Sequence, residues 1–481
     1  MVVSDRTPSS LRAARARRSV SSGVQALALL TLLFATRHTS AQPTNSWTIL
    51  HYAAGSNSSE VDLLSDIQEM MDGKLAEGYE LIVLIDRTPG HSEDSTTLGE
   101  NFTDTRLYRI THHGYERLHG GTELAQVRAD RPVDLGMGDA QVLKQFVRFG
   151  KQHFPAEHYL LVLRSHGNGV GMCPDHESGT EDRLFPGEIS DVLTAEESVD
   201  ILGLDVCSMA GLENLYEWRP GNGSFSADLV IASAPLSGAW AYDRILSRLK
   251  DGPGTANELD PARMTPLQFA SMIFEEIEAM QPWASWGLFD NGRIARVKAE
   301  VDELAGLLAA EDGAILLQAI DSTLGYHHQT AADLETSLLA FPYVDAYHFY
   351  SLLSRNQKLR PTSRAQATEV CAAIDELVVA SYYGTGFLPT TSDFVDGKGG
   401  VYQVLPRGRK VFSQTGSTFW AHTTWFHPDA ITGEPDSYGA YDWCGDGAVK
   451  GNGEVENFFE LMDALFDDPK AADGGVNHYP W

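Results

Sequence analysis

The chain has 481 residues, 43% hydrophobic and 21% charged; these globular proportions allow a large core and exclude a mainly disordered, collagen-like or coiled-coil polymer. Sixty-six acidic residues against 36 basic ones leave a formal charge of −30. A polyanion such as nucleic acid, or an anionic membrane surface, would be repelled, and cationic partners are favoured.

Residues 1–41 hold Arg6, Arg12, Arg15, Arg17, Arg18 and Arg37 against Asp5, so removing that +5 from −30 leaves −35 on the remainder. The apolar run Val24–Ala35 and the small residues Thr39-Ser40-Ala41 complete the pattern of a signal peptide cleaved before Gln42, so export is expected. A transit peptide or a misassigned start is the alternative reading. Arg17-Arg18 lacks the apolar residues that a twin-arginine signal carries next. No later window has the length and hydropathy of a membrane-spanning helix.

From Ser46 to about Trp240, short apolar runs alternate with amphipathic segments. Strands are predicted at Trp47–Ala53, Glu80–Asp86, His158–Arg164, Val199–Val206 and Asp228–Ser233, with Arg106–His112 as an added edge strand. Helices are predicted at Val61–Met71 and Ala140–His153. This is the pattern of an open, mostly parallel α/β sheet flanked by helices, in which ligands sit beyond the carboxyl ends of the strands. Asp251-Gly-Pro-Gly-Thr255 reads as a boundary, giving a catalytic domain over 42–250 and an accessory region over 255–481. That region is read as mainly helical, around 269–280, 297–320 and 370–379, with a small β part at Val401–Leu405 and Ser417–Phe426. Cysteines stand at 173, 207, 371 and 444. At most one bridge is expected, provisionally Cys371 with Cys444, because one thiol kept for chemistry leaves an odd number.

Two strand ends carry the chemistry. Tyr159–Arg164 delivers Ser165-His166-Gly167-Asn168-Gly169, and Val199–Leu204 delivers Asp205-Val206-Cys207-Ser208, followed by a predicted helix over 212–218. A cysteine at a helix N-terminus is expected to be stabilised as thiolate. If the strands are neighbours, His166 and Cys207 share a cleft as a nucleophile and its proton partner. Taken singly, each is more often a loop histidine or an inert buried thiol.

The order "apolar run, His-Gly" then "apolar run, Asp-x-Cys" resembles the clostripain family of cysteine peptidases, within the caspase-like, gingipain-like and legumain-like clan. Trp47–Tyr52 with Asn57, Asp205–Glu213, and Ala232–Trp240 with Tyr242 are similar to that family's segments, although Pro235-Leu236 stands where the family has Pro-Gly. The resemblance spans about Trp47 to Arg244. It implies a caspase-like fold, with Cys207 attacking the scissile carbonyl and His166 protonating the leaving amine. Backbone N–H groups near Gly167 and Cys207 would hold the oxyanion. It further implies that Asp205 floors a pocket for Arg, with Lys left open, and that Trp240 belongs to the substrate wall. The competing reading of Asp205 is a helix cap.

Between the dyad residues lies an acidic interval whose basic residue is Arg183. Family precursors are cut in such an interval, so self-cleavage at Arg183–Leu184, in a solvated loop, is expected of a zymogen; an uncut surface loop is the alternative. The family includes a calcium-requiring member, which permits Ca²⁺ without locating it. Asp442–Gly447 resembles half of a calcium loop, and the histidine pairs lack partners at ligand spacing. Gly167–Gly171 has the wrong spacing for a dinucleotide loop, and His-Glu-x-x-His and Gly-x-Ser-x-Gly are both missing. The competing functions are a catalytically silent module that recruits basic partners, and a peptidase cutting after Asp or Asn.

Overall fold

The computed structural model describes residues 45–176, 182–251, 261–326, 343–384, 393–405, 441–449 and 452–466. The expected signal peptide and the strand expected at Ser417–Phe426 lie outside them.

Apolar runs long enough to be buried on both faces build the centre of the molecule. Strands β1 (Asn45–Gly55), β2 (Tyr79–Arg87), β5 (Ala156–Arg164), β8 (Val199–Asp205) and β9 (Ala227–Ser233) run parallel, in the order β9-β8-β5-β1-β2. Antiparallel strands extend both margins. On one side lie β3 (Arg106–Thr111) and β4 (Gly114–Arg117), on the other β10 (Ser285–Asp290) and β12 (Val378–Tyr383), which completes nine strands. The chain proceeds from β1 to one side and later to the other, so the crevice beyond the ends of β1 and β5 is the topological switch point.

Alternation sorts the side chains onto two faces. Leu161 and Leu163 of β5 point into one core with helices α2 (Ala140–His153), α7 (Ile294–Leu308) and α10 (Pro361–Leu377). Leu160 and Val162 point into the other, with α1 (Glu60–Gly73), α5 (Tyr242–Asp251) and α6 (Pro266–Met280).

Residues beyond 255 are not an accessory region. They supply β10 and β12 to the sheet and α7 and α10 to one of its faces, and the described residues from 45 onward form one compact unit. A boundary drawn at the Gly-Pro run misses this because β10 is six residues long and follows strongly helical sequence. All four cysteines are unbridged, Cys371 and Cys444 included.

Candidate active site

The pairing of β5 with β8 ends on the rung Arg164↔Asp205, and His166 and Cys207 each lie two residues beyond it. Parallel strands thus deliver the two side chains at the same height on adjacent strands. The loops touch: a Cβ placed on Gly167 would lie 2.5 Å from the Cys207 carbonyl oxygen, so only glycine fits there. His166 Nε2 is 2.8 Å from Ser58 Oγ, just past the end of β1. The backbone N–H of Cys173 donates to the His166 carbonyl at 3.0 Å. Asn57 ties the same ends together, its amide donating to the carbonyls of Ala54 (3.1 Å) and Pro174 (2.8 Å) and to Ser165 Oγ (3.1 Å). Cys207 Sγ rests on Ser237, 3.5 Å from its N–H and 3.8 Å from its carbonyl oxygen. Among the described residues the thiol and the imidazole share no hydrogen bond.

Cys207 is not at a helix N-terminus. Helix α4 spans Leu212–Glu217 with Gly211 as its N-cap, and the turn between passes through Ser208 in the left-handed region, φ 59°. Burial pushes the Cys207 thiol above its ordinary pKa, against hydrogen bonds from Ser237, so the expected thiolate is replaced by a protonated resting thiol. Burial, helped by the Arg164 charge, lowers the His166 pKa. Both partners therefore rest neutral.

Beneath them lies a buried polar chain that the spacing could not reveal. Arg164 Nε is 2.7 Å from Asp66 Oδ2 and 3.2 Å from Asp205 Oδ2. Tyr242 donates its hydroxyl to Asp205 Oδ2 at 2.8 Å and lies 3.1 Å from His51 Nε2. Tyr242 spends its proton on Asp205, so His51 carries hydrogen on Nε2, consistent with a buried Nδ1 that has no partner. Burial drops the His51 pKa to about 3 and raises that of Asp66 to about 8 despite Arg164. Burial also raises Asp205. For Arg164, burial works downward, but Asp205 and Asp66 outweigh it and hold the guanidinium above its ordinary value.

Asp205 is not a helix cap. It is 1% exposed, with Oδ2 also accepting the Trp240 N–H at 3.2 Å, while Oδ1 is buried with no partner among the described residues. Trp240 is no substrate wall: its ring is 2% exposed and belongs to the core beside Tyr242. Arg183 is not in a solvated loop. It lies in β7 (Asp182–Leu184), which pairs with β6 (Met172–Asp175), and Leu184 is fully buried. Arg183 and His166 line the same hollow, with Gly167, Pro174 and His176.

The residues of the half calcium loop do not suit a cation. Arg219 pairs with Asp442 at 2.8 Å and Asp446 at 3.0 Å, and no group of three His, Cys, Asp or Glu among the described residues converges to hold a metal. Sequence reasoning missed Ser58, Ser237, Asp66 and Arg164. For Arg164 a signal existed, because a charge closing an otherwise apolar strand needs a buried partner.

A family model described as the clostripain family matches residues 51–428. Clostripain of Hathewaya histolytica is 33% identical over 477 residues, covering 90% of this chain and 89% of its own. An inactive zymogen C11 protease of Parabacteroides distasonis superposes with a TM-score of 0.53 at 16% identity, over 79% of this chain and 97% of that one. A secreted C11 cysteine protease of Bacteroides thetaiotaomicron, solved with an irreversible peptide inhibitor, gives 0.50 at 17%, over 78% and 99%. With its sheet ending in a histidine and a cysteine on neighbouring strands, the chain belongs to the clostripain family of cysteine peptidases.

Proposed function

We propose that this peptidase is exported, cleaves on the carboxyl side of Arg, with Lys left open, and activates itself by cutting Arg183–Leu184. The observation that carries the mechanism is the shared height of His166 and Cys207 beyond the Arg164↔Asp205 rung. Cys207 Sγ attacks the carbonyl carbon while its proton passes to the neutral His166 imidazole. The C–N bond breaks as His166 gives that proton to the departing amine, and water then hydrolyses the thioester. Backbone N–H groups near Gly167 and Cys207 are suited to the oxyanion.

The Arg preference is supported by the Asp-x-Cys motif that carries Asp205 and by the charge of −30, which favours a cationic side chain over an acidic one. Self-cleavage is supported by Arg183 lining the hollow of His166. Because Leu184 is buried, the β6–β7 pair must open first. For export, the N-terminal pattern is the support, and no helix among the described residues is long and apolar enough to cross a membrane.

Fluorogenic peptides ending in Arg, Lys, Asn and Asp, assayed with and without calcium, test this reading. Arg turnover that vanishes in Cys207→Ala is expected, with the active protein running as two chains on a denaturing gel and Arg183→Ala as one. Turnover after Asn or Asp overturns the specificity, and identical single chains overturn self-cleavage.

A further inference from the structure

The two loops that carry the dyad are held from the far half of the sequence. Strand β11 (Tyr343–Asp345) pairs antiparallel with β13 (Tyr402–Val404), a ribbon separate from the main sheet. Its two tyrosine rings lie against each other, centroids 4.5 Å apart. Tyr343 donates its hydroxyl to the Asn168 carbonyl at 2.7 Å, two residues past His166. Tyr402 donates to the Ser208 carbonyl at 2.9 Å, next to Cys207. Tyr441 reaches the Val170 carbonyl at 3.4 Å, and the Asn214 amide fixes the Tyr402 oxygen at 3.0 Å.

The rings fit as closely as the hydroxyls. A Cβ on Gly169 would lie 2.3 Å from Tyr343 Cζ, and one on Gly211 would lie 2.4 Å from Tyr402 Cε2. The backbone is left-handed at Gly169 (φ 89°), which glycine allows freely, and at Ser208 (φ 59°), a conformation that a serine does not favour and that the surroundings must hold. The Tyr402 N–H also donates to the Ala210 carbonyl at 2.8 Å.

We infer that Tyr343 and Tyr402, seconded by Tyr441, are positioning residues of the reaction: one contacting ring pair spans both catalytic loops and sets the separation of the imidazole from the thiol. This rests on the peptidase reading and assigns to the far half of the chain a part in catalysis. Burial raises the pKa of all three phenols well above the usual range, so they remain donors throughout the working pH.

The test compares Tyr343→Phe and Tyr402→Phe with Tyr350→Phe. Tyr350 is equally buried, but its hydroxyl bonds Gln403 and touches neither loop. Activity on the Arg peptide is measured well below each protein's melting temperature. A displacement of about 1 Å costs on the order of 100-fold, so a partial shift lowers kcat by about 10-fold, with KM nearly unchanged. This loss is expected in Tyr343→Phe and Tyr402→Phe, while Tyr350→Phe keeps wild-type kcat even where its melting temperature falls as far. Wild-type kcat in both loop variants, or equal loss in the control, overturns the inference. An inactive wild-type protein instead overturns the peptidase reading.

Discussion

The contact between Gly167 and the Cys207 carbonyl is the tightest constraint on the dyad, because the neighbour is backbone and cannot rotate away. Gly167→Ala is expected to lower kcat/KM by roughly 100-fold through displaced loops and to lower the melting temperature as well, because the backbone clash must be relieved; steady-state kinetics beside a thermal melt check it. The thiol is the second residue-scale consequence. Its pKa is raised by burial, so iodoacetamide labelling of Cys207, taken as the difference from Cys207→Ala, should still be climbing with pH beyond about 8.5, the value of a free cysteine. A plateau at neutral pH would mean a resting thiolate. The Asp-x-Cys and His-Gly motifs made both reactive residues legible. They did not show that Asp205 already has an internal cation, because Arg164 is 41 positions away in sequence and becomes its partner only through strand pairing.

At the scale of elements, β5 and β8 are joined by the Arg164–Asp205 ion pair as well as by their ladder, and β1 is tied in through the His51–Tyr242 hydrogen bond. Asp66 has a folded pKa of about 8, above its unfolded value of about 3.9, so the stability it contributes is complete below pH 4 and is lost as pH rises through 8. His51 runs the other way. Folded near 3 and unfolded near 6.5, it contributes fully above pH 6.5 and loses stability as pH falls towards 3. Asp66→Asn cannot titrate, so between pH 6.5 and 8 the variant should gain on wild type by up to about 1.4 kcal/mol per pH unit, read from urea unfolding. A difference independent of pH would show that Asp66 is already ionised. The strands themselves were legible because β1, β2, β5, β8 and β9 are nearly continuous apolar runs. Strands β10 and β12 were not, since Ser285-Trp-Gly-Leu-Phe-Asp290 is short and Val378–Tyr383 directly continues the helix α10.

For the whole molecule, a chain ended at Asp251 would expose the edge of β9 and strip one face of α7 and α10. It is expected to be aggregated or to melt without a cooperative transition, as size-exclusion chromatography and calorimetry would report. A monomeric, cooperatively melting fragment would restore the two-domain division that composition suggested.

That edge also fixes a timetable. The nucleophile is translated by residue 207, yet the last strand of the sheet ends at Tyr383, 176 residues on, and Tyr402 follows later still. At about 5–20 residues per second, a ribosome holds both reactive groups for roughly 10–35 s before the strand that completes their sheet exists. A nascent chain thus carries the parts of a protease before the architecture that aligns them, and translation order itself delays proteolysis.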